Sequence, residues 1–169
     1  DAIKELREQT NCGIIDCKKA LAEAKGDIEK AKAILREKGL QMALKKASRA
    51  AHEGRVEAYI HPGNKLSVLL EVNCETDFVA RNEDFIRFCK DVAMHIAAMA
   101  PKFIKKEDVP AEVLAAQADK DEFIKASVLL EQPFVKDASK SVQDLLNELV
   151  AKIGENIVVG RCVRYKVGE

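Results

Sequence analysis

The side chains that could do covalent chemistry are scattered along the sequence. The histidines His52, His61 and His95 lie far apart, without the spacing of metal ligands. The five cysteines include no Cys-x-x-Cys pair, and neither a G-x-x-x-x-G-K-[ST] loop nor a G-x-G-x-x-G loop is present. We therefore expect no metal site, no cofactor and no catalytic residues. We interpret the cysteines as small buried thiols, His95 as a packed or partly exposed helix residue and His61 as an exposed turn residue.

One short polar stretch, NCETDFVARN at residues 73–82, combines groups that suit binding. It follows the apolar run LSVLLEV and places the carboxylate of Asp77 beside the aromatic ring of Phe78. The residues alone leave two interpretations open. In one, Thr76 or Asp77 caps a helical turn and Phe78 folds back into the core. In the other, an aromatic anchor and its acidic neighbour project from a rigid corner, where such an anchor can contribute much of the energy of binding a partner.

The first 39 residues predict three short helices that pack together as a bundle. Apolar positions recur at helical spacing in AIKELREQT, IIDCKKALAEAKG and DIEKAKAILREKG, and each apolar seam is too narrow for a helix that is stable alone. Gly26 is expected in a left-handed cap, Asp27 at an N-cap, and Gly39 at the end of the third helix. Residues 40–52 then continue helically as a connector that contains Lys45, Lys46 and Arg49.

The pattern changes to that of strands at Gly54. RVEAYI alternates, HPGN supplies turn residues, and KLSVLLEV is typical of a strand buried on both faces, so a hairpin is predicted over residues 55–73. Further along, the patterns predict a helix over 83–99 after Asn82, a short helix from Pro110, an amphipathic helix closed by Gly154, and a third strand in NIVVGRCVRYKV. The sequence pattern is weak between the short helix from Pro110 and the amphipathic helix closed by Gly154.

These elements predict an α+β protein with three parts. Residues 1–39 form a three-helix domain, residues 40–53 a helical linker, and residues 54–169 a core in which helices pack against a small antiparallel sheet.

Composition limits the classes of function. The 28 Lys and Arg residues balance the 28 Asp and Glu residues, and aromatic residues make up only 5% of the chain, which weighs against a nucleic-acid-binding surface. No apolar run reaches the roughly 18 residues of a membrane span, and DAIKELREQT is too polar for a signal peptide. We expect a soluble, intracellular protein. Two alternatives stay open: a nucleic-acid-binding module that uses the basic residues at 45–49, and a small hydrolase or transferase that uses a cysteine.

Two long segments carry a family resemblance. LREQTNCGIIDCKKALAEAKGDIEKA is similar to the N-terminal signature of the translation elongation factor Ts family, and EVNCETDFVARN is similar to its second signature. LLEQPFVKD and AKIGENIVV are also family-like, so the resemblance covers nearly the whole chain. It implies a UBA-like N-terminal domain, a dimerisation-type core, and guanine nucleotide exchange on elongation factor Tu by protein–protein contact. It also implies a cytoplasmic location, or an organellar one after removal of a transit peptide.

The resemblance further implies which residues contact elongation factor Tu. Four would form a corner that enters the partner's Mg²⁺ site, and four would make further contacts: Thr76, Asp77, Phe78 and Val79, then Ile15, Lys18, Lys46 and His61. In this picture Phe78 is a wedge and Asp77 disturbs the groups that order the metal's waters. Thr76 and Val79 hold the shape of the corner.

The sequence departs from the family pattern in three places. NCGII replaces Gly-Ala-Gly-Met-Met, so Asn11, Ile14 and Ile15 stand where Gly and Met are usual, although the apolar character is kept. The stretch at residues 111–128 is short for the family. The core occurs once rather than twice, which implies a homodimer with elongation factor Tu bound to each half.

Overall fold

The computed structural model describes residues 2–10 and 12–169. In that part of the chain the helices and strands confirm the predicted α+β class. In chain order the elements are α1 (Ala2–Thr10), α2 (Ile14–Glu23), α3 (Ile28–Lys46), β1 (Glu53–Ile60), β2 (Leu66–Cys74), α4 (Asp77–Ala80), α5 (Glu83–Met99), α6 (Ala111–Ala115), α7 (Lys120–Ser127), β3 (Pro133–Phe134), β4 (Asp137–Ser141), α8 (Val142–Ile153) and β5 (Ile157–Lys166).

The first three helices bury a small core of their own, as predicted. Its buried members come from all three helices and the turn after α2: Leu6, Cys17, Ala20, Leu21, Ala24, Ala31 and Leu35. Gly26 has the expected positive φ of 85° and lets the chain reverse between α2 and α3. Asp27 caps α3, because its carboxylate accepts a hydrogen bond from the backbone N–H of Lys30 at 3.1 Å.

The predicted end of the third helix at Gly39 is wrong. Helix α3 runs on to Lys46, and Gly39 is buried where α3 crosses α8. A β-carbon at this position would lie 3.6 Å from the carbonyl oxygen of Asn147 on α8, which is an ordinary van der Waals contact, so the two helices pack closely here and an alanine would also fit. Contact with α8 offsets the roughly 1 kcal/mol that a glycine costs inside a helix. The helical part of the predicted connector therefore ends at Lys46, and the division at residues 39 and 53 stays a prediction.

The predicted hairpin and third strand are confirmed and form one antiparallel sheet of order β1-β2-β5. Strand β1 pairs with β2 from Glu53 opposite Cys74 to Ile60 opposite Ser67. Strand β5 pairs along the other edge of β2, with a register shift between Leu70 and Val72.

One face of this sheet packs on helices α5 and α8. The main core combines Val68, Leu70 and Val72 of β2 with Phe85 and Val92 of α5, among others. The opposite face is exposed, so the prediction that β2 is buried on both faces is wrong.

The exposed face of the sheet is rich in apolar side chains. In β1 the apolar positions Val56 and Ile60 are exposed, whereas Glu57 is buried and pairs with Arg55 at 2.7 Å. Leu69 lies between Ala58 and Val163 on the neighbouring strands, and it is 50% exposed. An apolar strip therefore crosses all three strands on the side away from the helices.

The segment between α5 and α8 contains elements that the sequence pattern did not predict. The short helix after Pro110 is present as α6, but α7 and the β3–β4 hairpin fall where the signal was weak. The start of the segment is held to the end of α7 by hydrogen bonds, since the backbone N–H groups of Lys102 and Phe103 both donate to the carbonyl of Ser127. Helix α8 is as predicted, with Ser141 in a capping box with Asp144 and with Gly154 in the left-handed conformation at its end.

His95 is fully buried on α5, so of the two interpretations left open it is the packed helix residue and not a partly exposed one. The backbone N–H of Val135 donates to its Nδ1 at 3.2 Å, so the proton lies on Nε2, which is 2.9 Å from Oε1 of Gln132. The Gln132 amide in turn donates to the carbonyl of Ala126 at 2.8 Å. Burial lowers the pKa of His95, while the hydrogen bond to Gln132 raises it.

Among the residues described, no helix combines the length and the apolar character needed to cross a membrane.

Candidate functional site

The predicted corner lies where β2 gives way to helix α5. After Cys74 the chain passes through Glu75 and Thr76 into the single turn α4, and Asn82 then begins α5 by accepting hydrogen bonds from the backbone N–H groups of Asp84 and Phe85. The turn is closed by backbone bonds from Ala80 to Thr76 and from Asn82 to Val79. The corner is thus a short, hydrogen-bonded step between a central strand and a long helix of the core.

Phe78 projects from this corner into solvent, with 77% of its surface exposed. The interpretation that its ring folds back into the core is therefore wrong. The same interpretation placed Thr76 or Asp77 at the cap of a helical turn. This part is confirmed for the position only, because Thr76 is the N-cap residue of α4 but its side chain makes no capping bond. Val79, the next residue, is half-buried and packs against the main core. The same turn thus presents Phe78 outward and is anchored by Val79.

Arg81 is a corner residue that the sequence reasoning missed. Its guanidinium group lies 5.5 Å from the centre of the Phe78 ring and 2.8 Å from a carboxylate oxygen of Asp77. The spacing of four residues between Asp77 and Arg81 on a helical turn is the signal that could have predicted the pair. Because both side chains are exposed, the ion pair contributes at most about 1 kcal/mol, so Asp77 can leave it at little cost.

Four of the five cysteines are unsuited to nucleophilic chemistry. All five are free thiols. Burial raises the pKa of Cys74 to about 11 and that of Cys89 to about 12, and it also raises the pKa values of Cys12 and Cys162. These four thiols therefore stay protonated near neutral pH, which removes support from the alternative of a cysteine hydrolase or transferase.

Metal binding finds no support in the described part of the chain. Across residues 2–10 and 12–169, no group of three or more His, Cys, Asp or Glu side chains is placed to hold a metal ion.

Three of the other four predicted contact residues, Ile15, Lys18 and His61, lie on elements other than the corner. Ile15 and Lys18 lie on the exposed side of α2, with Ile15 69% exposed. His61 is exposed, as predicted, at the far end of the hairpin, roughly 25 Å of strand away from Cys74. Its Nδ1 lies 2.9 Å from the Tyr59 hydroxyl. Asn11, named as a departure from the family pattern, lies outside the described residues.

The basic residues at positions 45–49 are partly engaged within the chain. Lys46 donates to the carbonyl oxygen of Gly154 at 2.6 Å, and the guanidinium of Arg49 lies 3.6 Å from the carboxylate of Glu75. Charges held in this way contribute less to a phosphate-binding surface. The nucleic-acid-binding alternative thus loses support from two of its three residues.

Comparison with known proteins shows the family to which the chain is similar. The family model described as Elongation factor TS matches residues 4–121. A protein from Caldanaerobacter subterraneus subsp. tengcongensis named Elongation factor Ts is 52% identical, over 99% of this chain and 96% of its own length. Proteins of the same name from Desulforamulus reducens and Acetivibrio thermocellus are 52% and 51% identical, over 99% and 100% of this chain and 88% and 89% of their own lengths.

The first of these alignments spans 191 positions, more than the 169 residues of this chain, so that relative contains residues that this chain lacks. Their position at residues 111–128 stays a prediction. Since a family model matches well over half of the chain and full-length relatives share about half of its residues, the chain belongs to the elongation factor Ts family.

Proposed function

We propose that this chain is a guanine nucleotide exchange factor for elongation factor Tu, acting in translation elongation in the cytoplasm. The observation that carries the proposal is the corner itself, where a large ring and a carboxylate stand in solvent on a hydrogen-bonded turn of the backbone in a member of this family. The Phe78 ring does not pack in the core of its own chain. An exposed aromatic ring of this size can fill a pocket in a partner.

The corner would act near the Mg²⁺ and phosphates of bound GDP. GTPases hold nucleotide through backbone N–H groups that surround the phosphates and through Mg²⁺. Because Mg²⁺ requires near-ideal octahedral geometry, a small displacement of its surroundings weakens its binding. Phe78 would wedge between elements of the GTPase domain, and Asp77, released from Arg81, would disturb the groups that order the metal's waters. Thr76 and Val79 would keep the corner in shape.

No bond-breaking chemistry is required of such a protein, so we propose no catalytic residue and no cofactor. Exchange follows from linkage between two binding sites on elongation factor Tu. If binding of this chain lowers the affinity of elongation factor Tu for GDP by a certain factor, bound GDP lowers the affinity of elongation factor Tu for this chain by the same factor. Each tenfold change in affinity corresponds to about 1.4 kcal/mol of coupling.

The four remaining contact residues would give the wedge a fixed base. Ile15 and Lys18 on α2 would bind the GTPase domain through an exposed apolar group and a cation. The ammonium group of Lys46 donates one hydrogen bond to the carbonyl oxygen of Gly154, and its two other N–H groups can donate to a partner. His61, at the far end of the hairpin, would contact a region of elongation factor Tu distant from the nucleotide.

The test is the release of fluorescent GDP from elongation factor Tu. We expect the parent chain to accelerate release and Phe78→Ala to slow it about tenfold or more, because an anchor residue is lost. Val135→Ala is the matched control, since it removes exposed apolar surface between β3 and β4, and it should release GDP at the parent rate. If Phe78→Ala also releases GDP at the parent rate, the wedge role is wrong. If the parent has no effect, the proposed function is wrong.

We also propose that the chain forms a homodimer through the exposed face of its sheet. The apolar strip on this face, formed by Val56, Ile60, Leu69, Val163 and Tyr165, is the support for this proposal. Monomeric proteins rarely leave a large apolar patch exposed, and a second copy of the same sheet would cover it. Each copy would then offer its corner to one molecule of elongation factor Tu.

A further inference from the structure

The turn between α8 and β5 touches the corner from a distant part of the sequence. Gly154, with a φ of 86°, ends α8 in the left-handed conformation, and Glu155 and Asn156 follow before the chain enters β5. Both side chains are at least partly buried, and both contact segments that lie far away along the chain.

Glu155 binds the backbone that leads into the corner. One oxygen of its carboxylate accepts hydrogen bonds from the backbone N–H groups of Glu75 and Thr76, each at 3.1 Å. The other oxygen accepts the Thr76 hydroxyl at 2.7 Å. Hydrogen bonds to an ionised carboxylate are about twice as strong as those between neutral groups. Three of them converge on the two residues that immediately precede Asp77.

Helix α4 needs such an external hold. It has only four residues, none of them fully buried, and a single helical turn is not stable alone. The Thr76 side chain makes no capping bond to the turn and donates to Glu155 instead. The direction in which the turn leaves the sheet is therefore set on one side by Glu155 and on the other by the capping bonds of Asn82.

Asn156 connects the same turn to the segment after α3. Its backbone N–H donates to the Glu75 carboxylate at 2.6 Å, and its side-chain amide donates to the carbonyl of Arg49 at 2.7 Å. Together with the bond from Lys46 to Gly154, these contacts join the linker, the turn and the corner in one hydrogen-bonded network.

We propose that Glu155 is a positioning residue for nucleotide exchange, which holds the Asp77–Phe78 corner in the orientation that enters the partner. The proposal rests on the proposed function. Glu155 lies behind the corner and acts through the backbone of Glu75 and Thr76. A corner that is already ordered before binding loses less conformational entropy when it enters a pocket. More of the contact free energy of Asp77 and Phe78 is then available to weaken the binding of GDP.

The first test needs no partner. Amide hydrogen exchange of the full-length chain should show the backbone at residues 75–79 exchanging at least tenfold faster in Glu155→Ala than in the parent, while residues 66–72 of β2 stay unchanged. Glu155→Gln should restore most of the protection, because an amide oxygen accepts the two N–H groups and the amide nitrogen can donate to the Thr76 oxygen. Unchanged protection in Glu155→Ala would overturn the proposal.

The second test separates rate from affinity in the release of fluorescent GDP from elongation factor Tu. We expect Glu155→Ala to lower the maximal release rate about tenfold, with the half-saturating concentration changed less than about twofold. Glu155→Gln should recover most of the rate. A residue that only supports the overall fold would instead lower the thermal midpoint and affect both parameters, and that result would count against positioning.

A double substitution identifies the route of the effect. If Glu155 acts through the corner, Glu155→Ala should cause little further slowing when Phe78 is already alanine. Equal slowing in both backgrounds would overturn the proposal. If the parent chain fails to release GDP at all, the proposed function falls, while hydrogen exchange still decides whether Glu155 holds the corner.

Discussion

Phe78 stays in solvent because the geometry of one helical turn leaves it no place in the core. Successive residues on a helix point about 100° apart, so Phe78 and Val79 cannot both face the sheet. Val79 takes the inner position against the main core, and Phe78 is turned outward. The sequence spacing identified the pair of interest, Asp77 and Phe78. The spacing could not show whether Phe78 or Val79 is the buried residue, because that depends on the direction in which the turn leaves β2.

Exposure of Phe78 leads to a prediction about stability. Phe78→Ala should change the free energy of unfolding by no more than about 0.5 kcal/mol, since little buried surface is lost. Phe85→Ala is the matched control, because Phe85 is fully buried in the same region, and it should cost about 3–5 kcal/mol. Urea denaturation measures both. A large loss in Phe78→Ala would mean that the ring packs within its own chain.

The corner also contains residues that differ in how far they could be predicted. Arg81 stands four residues after Asp77, and that spacing could have predicted the ion pair, although it was missed. Glu155 lies 79 residues after Thr76, and its bond to the corner exists only because β5 pairs with β2. No local pattern reports such a contact. A carboxylate just after a helix-ending glycine reads in sequence as an ordinary turn residue.

At the level of elements, prediction followed local signals. Helices α5 and α8 were predicted closely, because each combines a side-chain cap with a continuous apolar stripe. The end of α3 was misplaced, since the contact with α8 that carries the helix through Gly39 is not local. Helix α7 was missed because its apolar residues Phe123 and Ile124 are few and only half-buried.

The contact of α5 with the segment around Gln132 predicts a pH dependence of stability. Burial lowers the pKa of His95 in the folded protein, so the unfolded chain takes up the proton first as the pH falls. The stabilising contribution of neutral His95 is therefore complete above the ordinary histidine pKa of about 6.5 and is lost as the pH falls through the lower folded value.

His95→Leu should accordingly be more harmful at high pH than at low pH. We expect it to cost about 1–3 kcal/mol at pH 7.5, because it leaves Oε1 of Gln132 and the Val135 N–H unpaired, and clearly less at pH 5. His52→Leu, at an exposed position before β1, is the control and should show neither effect. Thermal midpoints at the two pH values provide the measurement, and an equal cost at both would contradict the assignment of a lowered pKa.

For the whole molecule, the most informative feature is the inverted pattern of β1. Its apolar residues face solvent, while the charged residue Glu57 is buried with Arg55 as its partner. Alternation in the sequence predicted the strand but not its orientation, because an apolar face can be buried by the chain itself or by another molecule. The helices already cover one face of the sheet, so the exposed apolar strip suits a second protein surface.

The proposed homodimer predicts a mass and a way to change it. The parent should sediment at twice the chain mass of 18.7 kDa, and Leu69→Lys should sediment as the single chain. The lysine would place a charge at the centre of the strip, on the middle strand. A second sheet packed against this face would remove the water that hydrates the charge. Leu44→Lys is the matched control, since it changes an exposed leucine on α3 and should keep the parent mass. A parent that sediments at 18.7 kDa, or a dimer that survives Leu69→Lys, would show that this face of the sheet does not join two copies.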